Sequence, residues 1–209
     1  LVATLATSCP GRRIEARPLD LADAAAVDVF AEAIEAEGGF HGFVHVAGQT
    51  YDTLAAVMDA RKAASVMQVN LFAATRIVNA LVRHMSRARA GRIVFMGSVT
   101  ALQANVGNAA YAASKGALLS YARTLAIESA RRGVTVNYVA PGFVKTDMMA
   151  SDAAHHDAMA KQIPAQRFAT PEDVAGVVAF LCSDRAAYVT GAVIPVDGGL
   201  TAQLGVHRG

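Results

Sequence analysis

Apolar positions along the chain follow two alternating rhythms. Short runs rich in β-branched and aromatic residues read as strands: "IEARPLD" (14–20), "GFVHVAG" (42–48), "RIVFMGS" (92–98), "VTVNYVAPG" (134–142) and "AVIPVDGG" (192–199). Between them lie stretches with helical spacing. These are 22–38, closed by glycine; about 59–85; and the stretch that carries Tyr111 to about Arg132, where Gly133 stops it. Thr170-Pro171-Glu172-Asp173 opens another helix, with threonine as cap, proline at the first helical position and acids in the first turn. Alternating strands and helices predict a doubly wound α/β fold, a parallel sheet with helices on both faces. In such sheets ligands bind beyond the carboxyl ends of the strands. Gly48, Gly97-Ser98 and Pro141-Gly142 punctuate those ends.

Composition narrows the partners. The 209 residues suit one domain with one sizeable core, and 54% hydrophobic content makes it globular. A net charge of +2, scattered along the chain, argues against a nucleic-acid partner. Cys9 and Cys182 lie far apart without metal-ligand spacing and read as reduced thiols of a cytoplasmic protein. No signal peptide is visible, and no apolar run reaches the ~18 residues of a membrane span, so no membrane partner is expected. His155-His156 reads as solvated surface rather than a metal site, and no metal is expected. The first residue is Leu1, not methionine, so the natural chain is expected to begin upstream.

The stretch "YAASKGALLSYA" (111–122) carries the candidate chemistry. Tyr111 and Lys115 are i and i+4 and share one helix face. An ammonium beside a phenol favours the phenolate and lowers the tyrosine pKa from about 10. A tyrosine so tuned is a general acid or base. Ser98, at a strand end, can donate to a carbonyl oxygen that is becoming an alkoxide. Taken singly, a Tyr-x-x-x-Lys pair arises by chance in many helices, and Ser98 could be an ordinary turn residue. The Gly-Ser and Pro-Gly strand ends favour the catalytic reading.

"VHVAG" (44–48), "VNL" (69–71), "GRIVFMGSV" (91–99), "YAASKGAL" (111–118), "RRGVTVNYVAPGFVKTDM" (131–148) and "YVTGAVIPVDGGL" (188–200) together resemble the short-chain dehydrogenase/reductase family, and most its 3-oxoacyl-acyl-carrier-protein reductases. The resemblance implies a Rossmann-like domain over residues 1–209 and a catalytic tetrad of Asn70, Ser98, Tyr111 and Lys115. It implies cofactor contacts from Asp20, Leu21, Ala47, Gly48, Tyr111, Lys115, Pro141, Gly142, Val144 and Thr146. Arg89 and Arg132 fall where the carrier-protein reductases dock their acidic partner; solvated surface charge is the alternative.

The implied reaction is reduction of a 3-oxoacyl thioester, on acyl carrier protein or coenzyme A, by NADPH, with NADH not excluded. A homotetramer is expected, with a hetero-oligomer as the alternative. A sugar, polyol or steroid dehydrogenase and a non-catalytic pseudo-reductase subunit are the competing functions. Two departures stand out. The family's opening strand, glycine-rich turn and helix do not precede Leu1, so the domain is expected to be N-terminally incomplete here. His45-Val46 replaces the usual Asn-Asn before Ala-Gly, and residues 149–168 are the expected substrate lid.

Overall fold

The computed structural model describes residues 2–145 and 158–203. In chain order the elements are α1 (Val2–Ser8), α2 (Ala24–Glu37), β1 (Gly42–His45), α3 (Ala60–Met67), α4 (Ala73–Ala88), β2 (Gly91–Met96), α5 (Ala109–Ala130), β3 (Val134–Pro141), α6 (Pro171–Cys182) and β4 (Val193–Val196). The four strands form one parallel sheet in the order β1-β2-β3-β4.

Local chemistry sets the element ends. The Asp23 carboxylate accepts from the Ala25 and Ala26 amides at the start of α2, and Gly38, at φ 62°, closes it. Thr170 and Asp173 form the reciprocal cap of α6, with Pro171 at its first turn. Strand alternation then sorts β3 onto two cores. Val134, Val136 and Tyr138 face α2, α4 and α5; Val139, one register position over, faces α6 with Val174 and Leu181.

Residues 14–20 form no strand. An extended segment becomes a strand only when its backbone pairs with a neighbour, and among the described residues none lies beside it. Its charges pair sideways instead, Arg13 and Arg17 on Glu15, and Arg17 on Glu37. Leu19 still packs against the larger core.

The long helical stretch is continuous from Ala60 to Ala88. Its composition and 29-residue length reach those of a membrane span, which the sequence had not suggested. Its residues Ala73, Ala74, Ile77, Val78 and Leu81 are core. Between α3 and α4 the helix widens into one π-turn, Gln68–Phe72. Such single π-turns are frequent at functional sites, and this one holds Asn70, which is fully buried.

Candidate active site

The four candidate residues come from three places and meet at the carboxyl end of the sheet. Ser98 lies two residues past β2, Tyr111 and Lys115 occupy the first two turns of α5, and Asn70 comes from the π-turn. Asn70 is completely engaged: its Oδ1 accepts from Gln49 N (2.7 Å), and its Nδ2 donates to Gln49 O (3.0 Å) and Ser114 Oγ (2.9 Å). Ser114 in turn donates to Tyr111 O at 2.7 Å. Asn70 thus ties the loop after β1 to the helix that carries Tyr111.

Lys115 is 2% exposed. Its Nζ donates to Met96 O at 2.9 Å and lies 5.7 Å from the centre of the Tyr111 ring. Burial lowers its pKa from 10.5 to about 8. Tyr111 is half-buried, and its phenol hydrogen-bonds Ser98. Burial raises its pKa; the Ser98 hydrogen bond opposes the rise and the Asp52 carboxylate adds to it. The expected net lowering of the Tyr111 pKa is therefore not what this arrangement produces: burial of the phenol outweighs the groups that favour its ionisation. Ser98 Oγ accepts from Thr100 N (3.2 Å) and Thr100 Oγ1 (2.9 Å), which leaves its own proton to point towards the phenol.

A nicotinamide cofactor fits the residues around this cluster. Val46, Ala47 and Gly48 are exposed just beyond β1. A Cβ on Gly48 would sit 3.3 Å from Lys115 Nζ and 3.6 Å from Asn70 Oδ1, filling the approach to the ammonium. Among the described residues Lys115 uses one of its three donors, on Met96 O, so the others can serve ligand hydroxyls. Pro141 and Gly142 lie at the end of β3, with Gly142 pressed against Asp197. Val144 pairs with Ala169. Asp20 accepts from Ala22 N (2.9 Å), and Leu21 O accepts from Gln68 Nε2 (3.2 Å), which holds 20–21 beside the π-turn. Thr146, His155 and His156 lie outside the described residues.

Arg89 and Arg132 do not lie at this site. Arg89 closes α4 at φ 54° and donates to Arg131 O, at the far end of α5. The 21 steps from Tyr111 to Arg132 span about 30 Å of helix.

Two supports were not legible in the sequence. Tyr138, 1% exposed on β3, accepts from Ser98 N (3.2 Å) and donates to Lys115 O (3.1 Å), bracing both from behind. Its ring passes so close to Gly97 that a Cβ there would lie 1.8 Å away. A phenol within a strand of β-branched residues was the available signal. Ser114, three residues after Tyr111, was the other.

A family model described as Enoyl-(Acyl carrier protein) reductase matches residues 1–201. The chain is also 40% identical over 185 residues to the 3-oxoacyl-acyl-carrier-protein reductase FabG of Escherichia coli (strain K12), covering 87% of this chain and 75% of that protein. The chain belongs to the short-chain dehydrogenase/reductase family. Another relative in this family is the 3-oxoacyl-acyl-carrier-protein reductase MabA of Mycobacterium tuberculosis (strain ATCC 25618 / H37Rv), 41% identical over 183 residues, with 87% and 74% coverage. A crystal structure from Beutenbergia cavernae, with NADP bound at low occupancy, superposes with a TM-score of 0.90 at 37% identity, covering 97% of this chain and 82% of that one. A gluconate 5-dehydrogenase from Burkholderia cenocepacia J2315, in complex with NADP and tartrate, gives 0.82 at 30% identity, with 89% and 74% coverage. As a short-chain dehydrogenase/reductase, the chain is an oxidoreductase with a Rossmann-like sheet.

Proposed function

We propose that this oxidoreductase reduces a 3-oxoacyl thioester, carried on acyl carrier protein or coenzyme A, to the 3-hydroxyacyl product with NADPH. The observation that carries this reading is the pairing of the Ser98 hydroxyl with the Tyr111 phenol, beside a buried Lys115. Two hydroxyl donors so paired suit an oxygen that becomes an alkoxide. Relatives named as 3-oxoacyl-acyl-carrier-protein reductases, at about 40% identity, support the substrate class.

Lys115, Ala47, Gly48, Asp20, Leu21, Pro141, Gly142, Val144 and Thr146 would hold the cofactor, which supplies hydride when bound. Ser98 donates to the carbonyl oxygen and orients it. Tyr111 gives its phenolic proton to that oxygen, so the carbonyl becomes a hydroxyl and the phenol a phenolate. Lys115, whose Nζ lies 5.7 Å from the centre of the Tyr111 ring, is the ammonium that returns a proton to the phenolate. Asn70 fixes the loop after β1 and, through Ser114, the helix bearing Tyr111. The raised Tyr111 pKa keeps the phenol protonated through neutral pH, so the titrating group nearest pH 8 is Lys115. Turnover in the reducing direction accordingly falls as pH rises through about 8.

The same reading takes residues 1–209 as one dinucleotide-binding domain of a cytoplasmic homotetramer. Arg89 and Arg132 would dock the acidic carrier, at the end of α5 away from Tyr111. A sugar-acid dehydrogenase is the second reading, favoured by the likeness to the gluconate 5-dehydrogenase structure.

The deciding experiment follows NADPH absorbance with acetoacetyl thioesters on carrier protein and coenzyme A, and with 5-ketogluconate. Faster turnover of the thioesters supports the first reading; faster turnover of the keto-acid transfers it to the second. No turnover of either, with no quenching or enhancement of NADPH fluorescence, points to a pseudo-reductase. Arg89→Glu and Arg132→Glu raise KM for the carrier-bound thioester alone; equal effects on both thioesters leave the pair as surface charge.

A further inference from the structure

We propose that Asp52 is a positioning residue for Tyr111, holding the first turn of α5 through Asn108. The inference rests on the reading of Tyr111 as proton donor and adds a residue outside the tetrad.

Asn108 stands at the N-cap of α5, where a polar side chain ordinarily turns back onto the helix amides. Here it makes no such bond. Its Nδ2 donates outward to Asp52 Oδ1, and its Oδ1 accepts from Asn105 Nδ2 at 2.7 Å. The backbone follows the side chains: Thr53 N donates to Gly107 O at 2.7 Å, and Thr53 pairs with Asn108 as an isolated parallel bridge. The start of the helix is therefore fastened to the loop after β1 rather than capped by itself.

That loop is anchored at several points. Gln49 is held by both amide atoms of Asn70, and its Oε1 accepts from Ser65 Oγ at 3.1 Å. Tyr51 Oη accepts from Asp59 N (3.1 Å), and Lys62 Nζ lies 5.6 Å from the centre of its ring. Asn70 reaches α5 again through Ser114. A closed circuit results: Tyr111, Ser114, Asn70, Gln49, the strap 50–53, and Asn108, three residues before Tyr111. Asp52 joins this strap to the helix by its side chain, while Thr53 joins it by backbone alone.

The position of the phenol depends on that first turn. A displacement of 1 Å at a reacting group can lower a rate by about 10²-fold. The charge of Asp52 acts in the same sense as its geometry. Among the described residues, the polar groups around Tyr111 are Ser98 from the end of β2, Lys115 from α5, Tyr138 from β3 and Asp52 from the strap, with neutral His45 beyond Lys115 on β1. Asp52 is the carboxylate among these described groups. It opposes ionisation of the phenol and so preserves the proton to be donated.

Asp52→Asn and Asp52→Ala separate the two contributions. The asparagine keeps an acceptor for Asn108 without the charge; the alanine removes both. Three readouts apply: hydrogen exchange of the amides of 109–114, titration of Tyr111 by its 13Cζ resonance, and kcat with the best substrate. Asp52→Ala should speed exchange at 109–114 and lower kcat by about 10- to 100-fold, with NADPH affinity unchanged. Asp52→Asn should restore slow exchange and most of kcat, while Tyr111 titrates at lower pH than in the parent. Parent-like exchange and parent-like Tyr111 titration in both variants overturn the proposal. Exchange and titration need no substrate, so they decide it even where the reductase reading fails. Should Asp52→Ala not fold, Asn108→Ala breaks the same link and is held to the same outcomes.

Discussion

The two faces of the sheet carry buried polar groups of different kinds. On the face covered by α2, α4 and α5, Asn70, Ser114 and Lys115 are buried in series and lead to Tyr111 at the crevice end. On the face covered by α6, the buried Asn137 is spent on structure. Its Nδ2 donates to Val189 O (2.8 Å), and its Oδ1 accepts from Ala192 N (3.1 Å), securing the approach to β4. Around it lie Val94, Val139, Val174 and Leu181. Burial of a polar side chain is therefore no mark of function by itself. What separates the two groups is direction: Asn70, Ser114 and Lys115 lead to the carboxyl end of the strands, whereas Asn137 closes on backbone.

Stability should divide the same way. Lys115→Met is expected to lower turnover by at least about 10²-fold while making the fold more stable at neutral pH. In the folded chain Lys115 titrates near 8 against 10.5 when solvated. The unfolded chain therefore holds more protons between those values, and the parent gains stability as pH rises from about 8 to 10.5. Below pH 8 the buried charge disfavours folding by about 3 kcal/mol. Chemical denaturation should show a gap between variant and parent at pH 7 that closes above pH 10.5. A variant less stable than the parent at pH 7 would mean that the ammonium is well compensated.

Leu181→Ala, on the other face, should remove about 2–5 kcal/mol and leave the pH dependence of turnover where it was. A moved pH profile would join the two faces into one unit and defeat the comparison.

His45→Asn gives the smallest expected change. His45 is 4% exposed, with Nε2 buried and unpartnered among the described residues. Burial, and then Lys115, lowers its pKa from 6.5 to about 4. The parent should therefore lose stability as pH falls from 6.5 to about 4, by up to about 3 kcal/mol. The asparagine variant should lack that sensitivity, as acid-melting curves will show. Identical acid curves would place the imidazole's proton balance elsewhere.

How much of this was legible in the sequence depended on whether the interaction was local. Tyr111 and Lys115 share a helix face, and Thr170 to Asp173 form a cap within four residues; spacing reveals both. Asn70 and Asn137 are each a lone amide in an apolar context, and spacing cannot tell them apart. Family resemblance singled out Asn70, and only the three-dimensional partners show where each amide goes. Tyr138 braces Ser98 from 40 residues away, and Asp52 reaches Asn108 across 56; neither leaves a periodic trace. The run 14–20 shows the converse error. Strand-like residues were read there, but pairing makes a strand and no neighbour lies alongside among the described residues. The sign of the Tyr111 pKa shift was equally hidden, because it is set first by how deeply the fold buries the phenol, which helix spacing does not reveal.

The central claim is that Tyr111 supplies the proton that turns the substrate carbonyl into an alcohol. Tyr111→Phe tests it most directly, because it removes one hydroxyl and keeps the ring that packs over Lys115. Single-turnover mixing, with NADPH oxidation as the signal and NADPH affinity measured separately by fluorescence, isolates the chemical step. The account predicts a loss of about 10²–10⁴-fold in that step with NADPH affinity unchanged. A variant that keeps more than about a tenth of the parent rate would contradict it, and would leave Ser98 as the candidate donor.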